Sequence, residues 1–120
     1  MFSAPRGTPV APGYHRLVER KRVPALSALA TDRIAAEAGA GPGRLLELGS
    51  AGIHAPALAL LGWTVTVAEE QPDALARARE RADGVAKVVP AHELAGEFDV
   101  VVGDEAAARW LRPGGRLIRP

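Results

Sequence analysis

A chain of 120 residues, 48% of them hydrophobic and 24% charged, has the composition of one ordinary soluble globular domain with a modest core. Its net charge of +1 gives no overall pull toward nucleic acid or an anionic membrane, and the lack of cysteine excludes disulfides, thiolate catalysis and cysteine-ligated zinc. No apolar run approaches the roughly 20 residues that span a bilayer, and the start MFSAPRGTPVAPGYHR lacks the apolar stretch of a secretory signal, so the expected location is the cytoplasm.

Residues 1–13 hold three prolines and two glycines with little to bury, which predicts a flexible arm. From Tyr14 to Val23 the chain is basic, with Arg16, Arg20, Lys21 and Arg22 against Glu19, and it reads as a solvated helix face ahead of a phosphate-binding patch. Helical spacing continues from Pro24 to Ala38, where Leu26, Leu29 and Ile34, extended by Val23, offer a face to a sheet. GAGPG at 39–43 stops this helix. The stretch 14–43 is therefore a helical segment ahead of a core at 44–120.

That core begins with RLLELGSAGIHAPALALLGWTVTVAEE, residues 44–70. Leu45, Leu46 and Leu48 form the short apolar run of a strand buried on both faces. Gly49, Ser50, Ala51 and Gly52 follow as a tight turn of small residues, where the backbone can approach a ligand. His54–Leu61 fits a helix packed on a sheet, closed by Gly62, and Trp63–Ala68 alternates as the next strand. Glu69 and Glu70 stand just beyond it. In a parallel βαβ unit, ligands bind at the carboxyl ends of the strands, so an acid at this tip is placed to accept hydrogen bonds from a ribose.

Pro72 suits the first turn of a helix running to Arg81 or Ala82, with Asp73 beside it and Asp83-Gly84 ending it. Val85–Val89 is a third strand, His92–Leu94 a turn, Phe98–Val102 a fourth strand, and Asp104–Leu111 another helix. LRPGGRLIRP then gives a Pro-Gly-Gly turn and a fifth strand, Arg116–Arg119. The alternation predicts a doubly wound α/β sheet, mostly parallel, of about five strands with flanking helices.

LLELGSAG, VTVAEE, PDALARARERA, FDVVV and LRPGGRLI resemble the successive landmarks of class I S-adenosylmethionine-dependent methyltransferases, over roughly residues 44–120. The resemblance implies a Rossmann-like sheet in the order 3-2-1-4-5, with S-adenosylmethionine over the ends of the first two strands. Residue by residue, it gives Glu47 the place of the acid that opens the glycine motif. Gly49 takes the place of the first glycine, in a cofactor loop of Gly49, Ser50, Ala51 and Gly52. Glu69 takes the place of the acid that holds the ribose hydroxyls, with Glu70 as the register alternative. His92 falls near the position of the acid that accepts the adenine amino group, with Glu93 beside it. Asp104 follows the fourth strand, where residues face the methyl acceptor.

Three departures accompany the likeness. Ala51 stands where the pattern has a glycine, His92 replaces an acid, and the chain stops at the fifth strand, before the family's sixth and seventh. An uncovered edge invites pairing with another chain, so a homodimer or a heteromeric partner through the strand-five edge is expected.

Methyl transfer needs mainly proximity and orientation, plus a base when the acceptor is a hydroxyl or amine. The candidate bases are His92, Asp104 and, behind them, His54. Against these roles stand plainer ones: His92 as an exposed turn residue, Asp104 as a helix cap, and His54 as a solvent-facing side chain. Trp63 and Trp110 read as core or rim packing. His15, His54 and His92 are too far apart in sequence to suggest a metal site. Two alternatives to an enzyme acting on a small-molecule or other unidentified acceptor remain. One is a non-catalytic, degenerate methyltransferase-like module working through a partner chain. The other is a flavin-dependent oxidoreductase, whose opening SAGIHAPALALLGWTVTVAEEQP also resembles.

Overall fold

The computed structural model describes residues 25–120. The expected arm at 1–13 and the basic segment Tyr14–Val23, with His15, lie outside the described residues. The elements are α1 (Ala25–Ala38), β1 (Arg44–Leu48), α2 (Ala55–Leu60), β2 (Thr64–Glu69), α3 (Pro72–Arg81), β3 (Lys87–Pro90), a 3-10 turn (Ala91–Glu93), β4 (Phe98–Val102), a 3-10 helix (Glu105–Trp110) and β5 (Leu111–Ile118). Every neighbouring pair of strands is parallel, and the order is β3-β2-β1-β4-β5. The expected Rossmann-like sheet is therefore present, and its winding reverses at β1, between β2 and β4.

A strand covered on both faces needs apolar side chains on both, and β1 supplies them with Leu45 and Leu46, each fully buried. On one face Leu45, Val65, Val67, Val100 and Val102 meet Ile34 and Ala38 of α1, Leu58 of α2, and Ala78 and Ala82 at α3. On the other, Leu46, Ala68, Phe98 and Val101 are covered by Ala107, Trp110 and Leu94. All three α-helices thus share one face, and the second is roofed by 3-10 segments. Full burial of a leucine such as Leu45, Leu46 or Leu58 contributes about 1.5–3 kcal/mol relative to exposure.

The α1 face differs from the expected one. Leu29 is 66% exposed, and the buried stripe is Thr31, Ile34 and Ala38, spaced three and four apart. This stripe joins the same core as the sheet, so α1 packs as part of the 44–120 unit. Helix α2 is short because Pro56 occupies its first turn and Gly62, at φ +100°, ends it. Trp63 lies outside β2: its backbone N–H donates to Leu58 O at 3.3 Å and its indole Nε1 to Gly39 O at 2.8 Å. Val85 and Ala86 lie outside β3 because their N–H groups bond back to Ala82 O at the end of α3.

The largest departures concern the end of the chain. Strand β5 starts at Leu111, five residues before the expected Arg116, because Leu111 already pairs with Phe98. The next pair is Val100 with Arg116, so β5 advances five residues while β4 advances two. The Pro-Gly-Gly segment is a bulge inside the strand, and not a turn before it. Gly115 presses so close there that a Cβ would sit 3.0 Å from Asp99 O. Asp99 ties the region together, accepting from Arg44 N at 2.7 Å through Oδ2 and from Arg112 Nε through Oδ1. First the Arg44 N–H and then Arg112 hold its carboxyl below the usual aspartate range.

The expected helix at Asp104–Leu111 is a 3-10 helix, and geometry explains why. The chain must return along β4 within six residues to start β5 opposite Phe98. Six residues cover about 12 Å as a 3-10 helix against about 9 Å as an α-helix. The tighter, longer form makes the span.

Candidate functional site

The carboxyl ends of β1, β2 and β4 converge on the loop Gly49–Gly52. This loop needs left-handed backbone at three of its four residues: Gly49 at φ +87°, Ala51 at +51° and Gly52 at +77°. For alanine that conformation costs roughly 1 kcal/mol. Ala51 keeps it because both of its backbone groups are held, its N–H by Glu69 Oε2 at 2.8 Å and its carbonyl by Arg81 Nη1 at 3.3 Å. Glu69 Oε2 also accepts from Gly49 N at 3.0 Å.

Glu69 is the last residue of β2, 6% exposed, and on the helix face with Val65 and Val67. One of its oxygens therefore organises the loop. Oε1 makes no hydrogen bond among the described residues.

Gly52 has a second constraint, since a Cβ there would lie 3.2 Å from Ala78 Cα and 3.3 Å from Ala78 O on α3. Gly49 shares the positive φ, but nothing lies within 4 Å of its missing Cβ. Gly52→Ala is accordingly expected to cost about 2–3 kcal/mol and Gly49→Ala about 1 kcal/mol, read as urea unfolding free energies. Equal losses would show that the loop is not pressed against α3.

A cleft of about 430 Å³ opens above these strand ends. Gly49, Glu69, Glu70 and Gln71 form one side of it, and Gly103, Asp104, Ala107 and Arg109 the other. Asp104 caps the 3-10 helix, with Oδ1 accepting from Ala107 N at 3.3 Å. Its Oδ2 has no partner among the described residues. Arg109 lies over the ring of Trp110, 5.3 Å from the centroid.

Beneath the loop, Glu47 is fully buried on the helix face of β1. Its Oε2 accepts from His54 N at 3.3 Å, while Oε1 is buried with no partner among the described residues. Burial pushes this carboxyl from 4.5 up to about 7, and Glu69 adds to the rise, against the opposing pull of the His54 N–H and Arg81. His54 is 5% exposed, so it does not face solvent. Its Nδ1 lies 2.6 Å from Thr31 Oγ1 on α1, and burial, with Arg33 nearby, lowers it from 6.5 to about 4.

Residues expected to act together are thus partly separated. Gly49, Glu69, Glu70 and Asp104 line one cleft. Glu47 and His54 form a buried pair below it, and Gly52 faces α3. Ser50 accepts from Ile53 N at 3.2 Å through its carbonyl and shapes the loop. His92 is 80% exposed, lies 3.5 Å from Glu93 and is not among the residues lining the cleft. Sequence reasoning passed over Gln71, Gly103 and Arg109. Of these, Gly103 alone carried a signal, as a glycine directly after a buried apolar strand.

No protein-family model and no curated protein matches the sequence. Solved structures do match the fold. The glycopeptide N-methyltransferase MtfA is 25% identical, with a TM-score of 0.62, covering 78% of this chain and 52% of that one. The chain has a class I methyltransferase-like fold. A ribosomal protein L11 methylase from Lactobacillus delbrueckii subsp. bulgaricus is 21% identical at a TM-score of 0.58, covering 78% of this chain and 57% of its own. The MtfA enzyme is also known in complex with S-adenosylmethionine, at 24% identity, a TM-score of 0.59, and coverage of 75% and 52%. The chain therefore spans just over half the length of these relatives.

Within this methyltransferase-like fold three features could receive a small ligand. Gly49 presents open space at its missing Cβ, Glu69 keeps a free carboxylate oxygen at the strand tip, and the cleft falls in the size range of small-molecule sites. Among the described residues no group of His, Asp or Glu could hold a metal ion, and no helix is long and apolar enough to cross a membrane.

Proposed function

We propose that this chain binds S-adenosylmethionine and acts as a methyltransferase-like domain on a small-molecule acceptor. The observation that carries the reading is the divided use of Glu69. One oxygen fixes the Gly49–Ala51 loop and the other is left at the strand tip, where ribose hydroxyls can donate to it. The parallel order β3-β2-β1-β4-β5 and the likeness to MtfA support the same reading. S-adenosylmethionine, when bound, supplies an electrophilic methyl group on a sulfonium sulfur.

The chain's own residues position and deprotonate. The loop Gly49–Gly52 gives a close backbone approach, and Glu69, with Glu70 beside it, holds the ribose. Asp104, anchored through Oδ1, offers Oδ2 to take the proton from an acceptor amine or hydroxyl. His92, exposed after β3 and outside the cleft lining, carries no role in this reading. The domain works in the cytoplasm on this reading.

Calorimetric titration with S-adenosylmethionine and S-adenosylhomocysteine tests the proposal, and micromolar binding of both is expected. A folded protein that gives no heat with either ligand would refute it. A yellow purified protein would instead support the flavin alternative.

A second reading has its own observation. Strand β5 is an edge of the sheet, and its outer side has no strand partner among the described residues. A non-catalytic module that docks another chain there, as a homodimer or heteromer, would bind no donor alone. It would sediment as a dimer or need a partner to be stable.

A further inference from the structure

We propose that Arg109 anchors an anionic group on the methyl acceptor, so that the substrate is a small molecule bearing a carboxylate or phosphate as well as the nucleophile that faces Asp104. The inference rests on the function proposed above and names its substrate class.

The charges of the cleft single out this residue. Its lining includes three side-chain carboxylates, Glu69, Glu70 and Asp104, and one cationic side chain, Arg109, with Pro120 also on the rim. Glu69 spends one oxygen on the loop and Asp104 one on its cap, and neither pairs with Arg109. Arg33, Arg112 and Arg119 each hold an acid, and of the arginines without an ion pair among the described residues only Arg109 lines the cleft. Glu105, four residues before Arg109 on the same 3-10 helix, is taken by Arg119 at 3.2 Å.

Lying over Trp110 steadies the flat guanidinium while leaving its N–H edge able to meet an anion in two parallel bonds. An anion entering this acidic cleft has no other cation on the lining to meet. Small residues line the cleft beside both groups, Gly103 just before Asp104 and Ala106 and Ala107 between Asp104 and Arg109, which leaves room for a compact ligand. A molecule with an amine at one end and an anion at the other matches the acid and the base in turn.

The test uses the full chain saturated with S-adenosylhomocysteine, and binding is read by calorimetry and ligand-observed NMR. The carboxylate probes are glycine, β-alanine and 4-aminobutyrate. The phosphate probe is phosphoethanolamine, and the neutral controls are ethanolamine and glycinamide. At least one anionic probe is expected to bind, with the neutral controls at least tenfold weaker. Preference for the carboxylates or for phosphoethanolamine identifies the anion.

Arg109→Ala is expected to lose at least tenfold in probe affinity while S-adenosylhomocysteine affinity stays within twofold. Arg109→Lys should recover part of the phosphate binding and little of the two-bond carboxylate binding. Binding of S-adenosylhomocysteine without any anionic probe would overturn the inference and leave the donor reading standing. So would equal binding of neutral probes, or an Arg109→Ala variant that binds as well as the parent. If S-adenosylhomocysteine itself does not bind, both readings fall together.

Discussion

Glu69→Gln is expected to leave the glycine loop folded and to weaken S-adenosylmethionine binding at least tenfold, whereas Glu69→Ala should lose both the loop and the ligand. The distinction follows from the two oxygens. Gly49 N and Ala51 N both donate to Oε2, at 3.0 and 2.8 Å. A glutamine can place its amide oxygen there and satisfy both, giving up only the charge, for a cost of about 1 kcal/mol. Its amide nitrogen then replaces Oε1 and presents donors where the ribose hydroxyls need an acceptor.

Alanine leaves the two N–H groups without their acceptor and removes the support for the left-handed Ala51. A loss of about 3 kcal/mol is expected from two hydrogen bonds to a charged group, one of them to a buried N–H. Urea unfolding gives the stability change and calorimetry the affinity. A glutamine variant as unstable as the alanine variant would mean that the charge, and not the acceptor geometry, holds the loop. A glutamine variant that binds the donor normally would remove Glu69 from the ligand site.

The buried Glu47 and His54 are expected to hide each other's effect on stability between about pH 4.5 and 6.5, and single substitutions should expose it. For Glu47 the folded pKa is about 7, above the ordinary 4.5. The native state therefore holds the proton more tightly, and this contribution is complete below 4.5 and lost as pH rises through 7. For His54 the folded pKa is about 4, below the ordinary 6.5. Its contribution is complete above 6.5 and is lost as pH falls through 4. Each amounts to about 3 kcal/mol over its window. The slopes are opposite and nearly equal, so the parent protein's stability should stay nearly flat across the overlap.

Glu47→Gln removes the falling contribution, and stability should then rise by about 3 kcal/mol from pH 4 to 6.5. His54→Asn removes the rising one, and stability should fall by about the same amount from pH 4.5 to 7 on top of a loss at every pH. That general loss reflects the contact with Thr31, which ties α1 to the start of α2. Urea midpoints measured at half-unit steps of pH give the profiles. Three parallel profiles would show that neither group titrates differently in the folded state.

Much of the fold could be read without coordinates. The run Leu45–Leu48, the alternation into β2, Pro72 opening α3 and FDVVV as β4 are local signals, carried by period, β-branching and turn residues within ten positions of each other. They were enough for a doubly wound parallel sheet with an acid at the tip of β2, while the order 3-2-1-4-5 came from the family resemblance and is the order found. The errors fall where a segment's form depends on its partner. The helix after Asp104 tightened into a 3-10 helix because the pairing of Leu111 with Phe98 fixed how far six residues had to reach. The same pairing turned Pro-Gly-Gly from a turn into a bulge.

The chemistry of the site was less legible than its location. The sequence by itself determined that Glu69 would stand near a glycine turn, because strand, turn, helix and strand follow one another in a parallel unit. Only the tertiary structure decided which oxygen of Glu69 holds the loop, since its donors lie 18 and 20 residues away. Only packing placed His54 against Thr31, 23 residues earlier, and sealed Glu47 beneath the loop, away from the cleft. Arg109 had no sequence signal at all, because whether an arginine is paired depends on which acids its neighbours have already claimed. Periodicity acts along the chain and sets which face a residue takes. Hydrogen bonding, burial and charge act across it, and they are fixed only once register and topology have brought distant residues together.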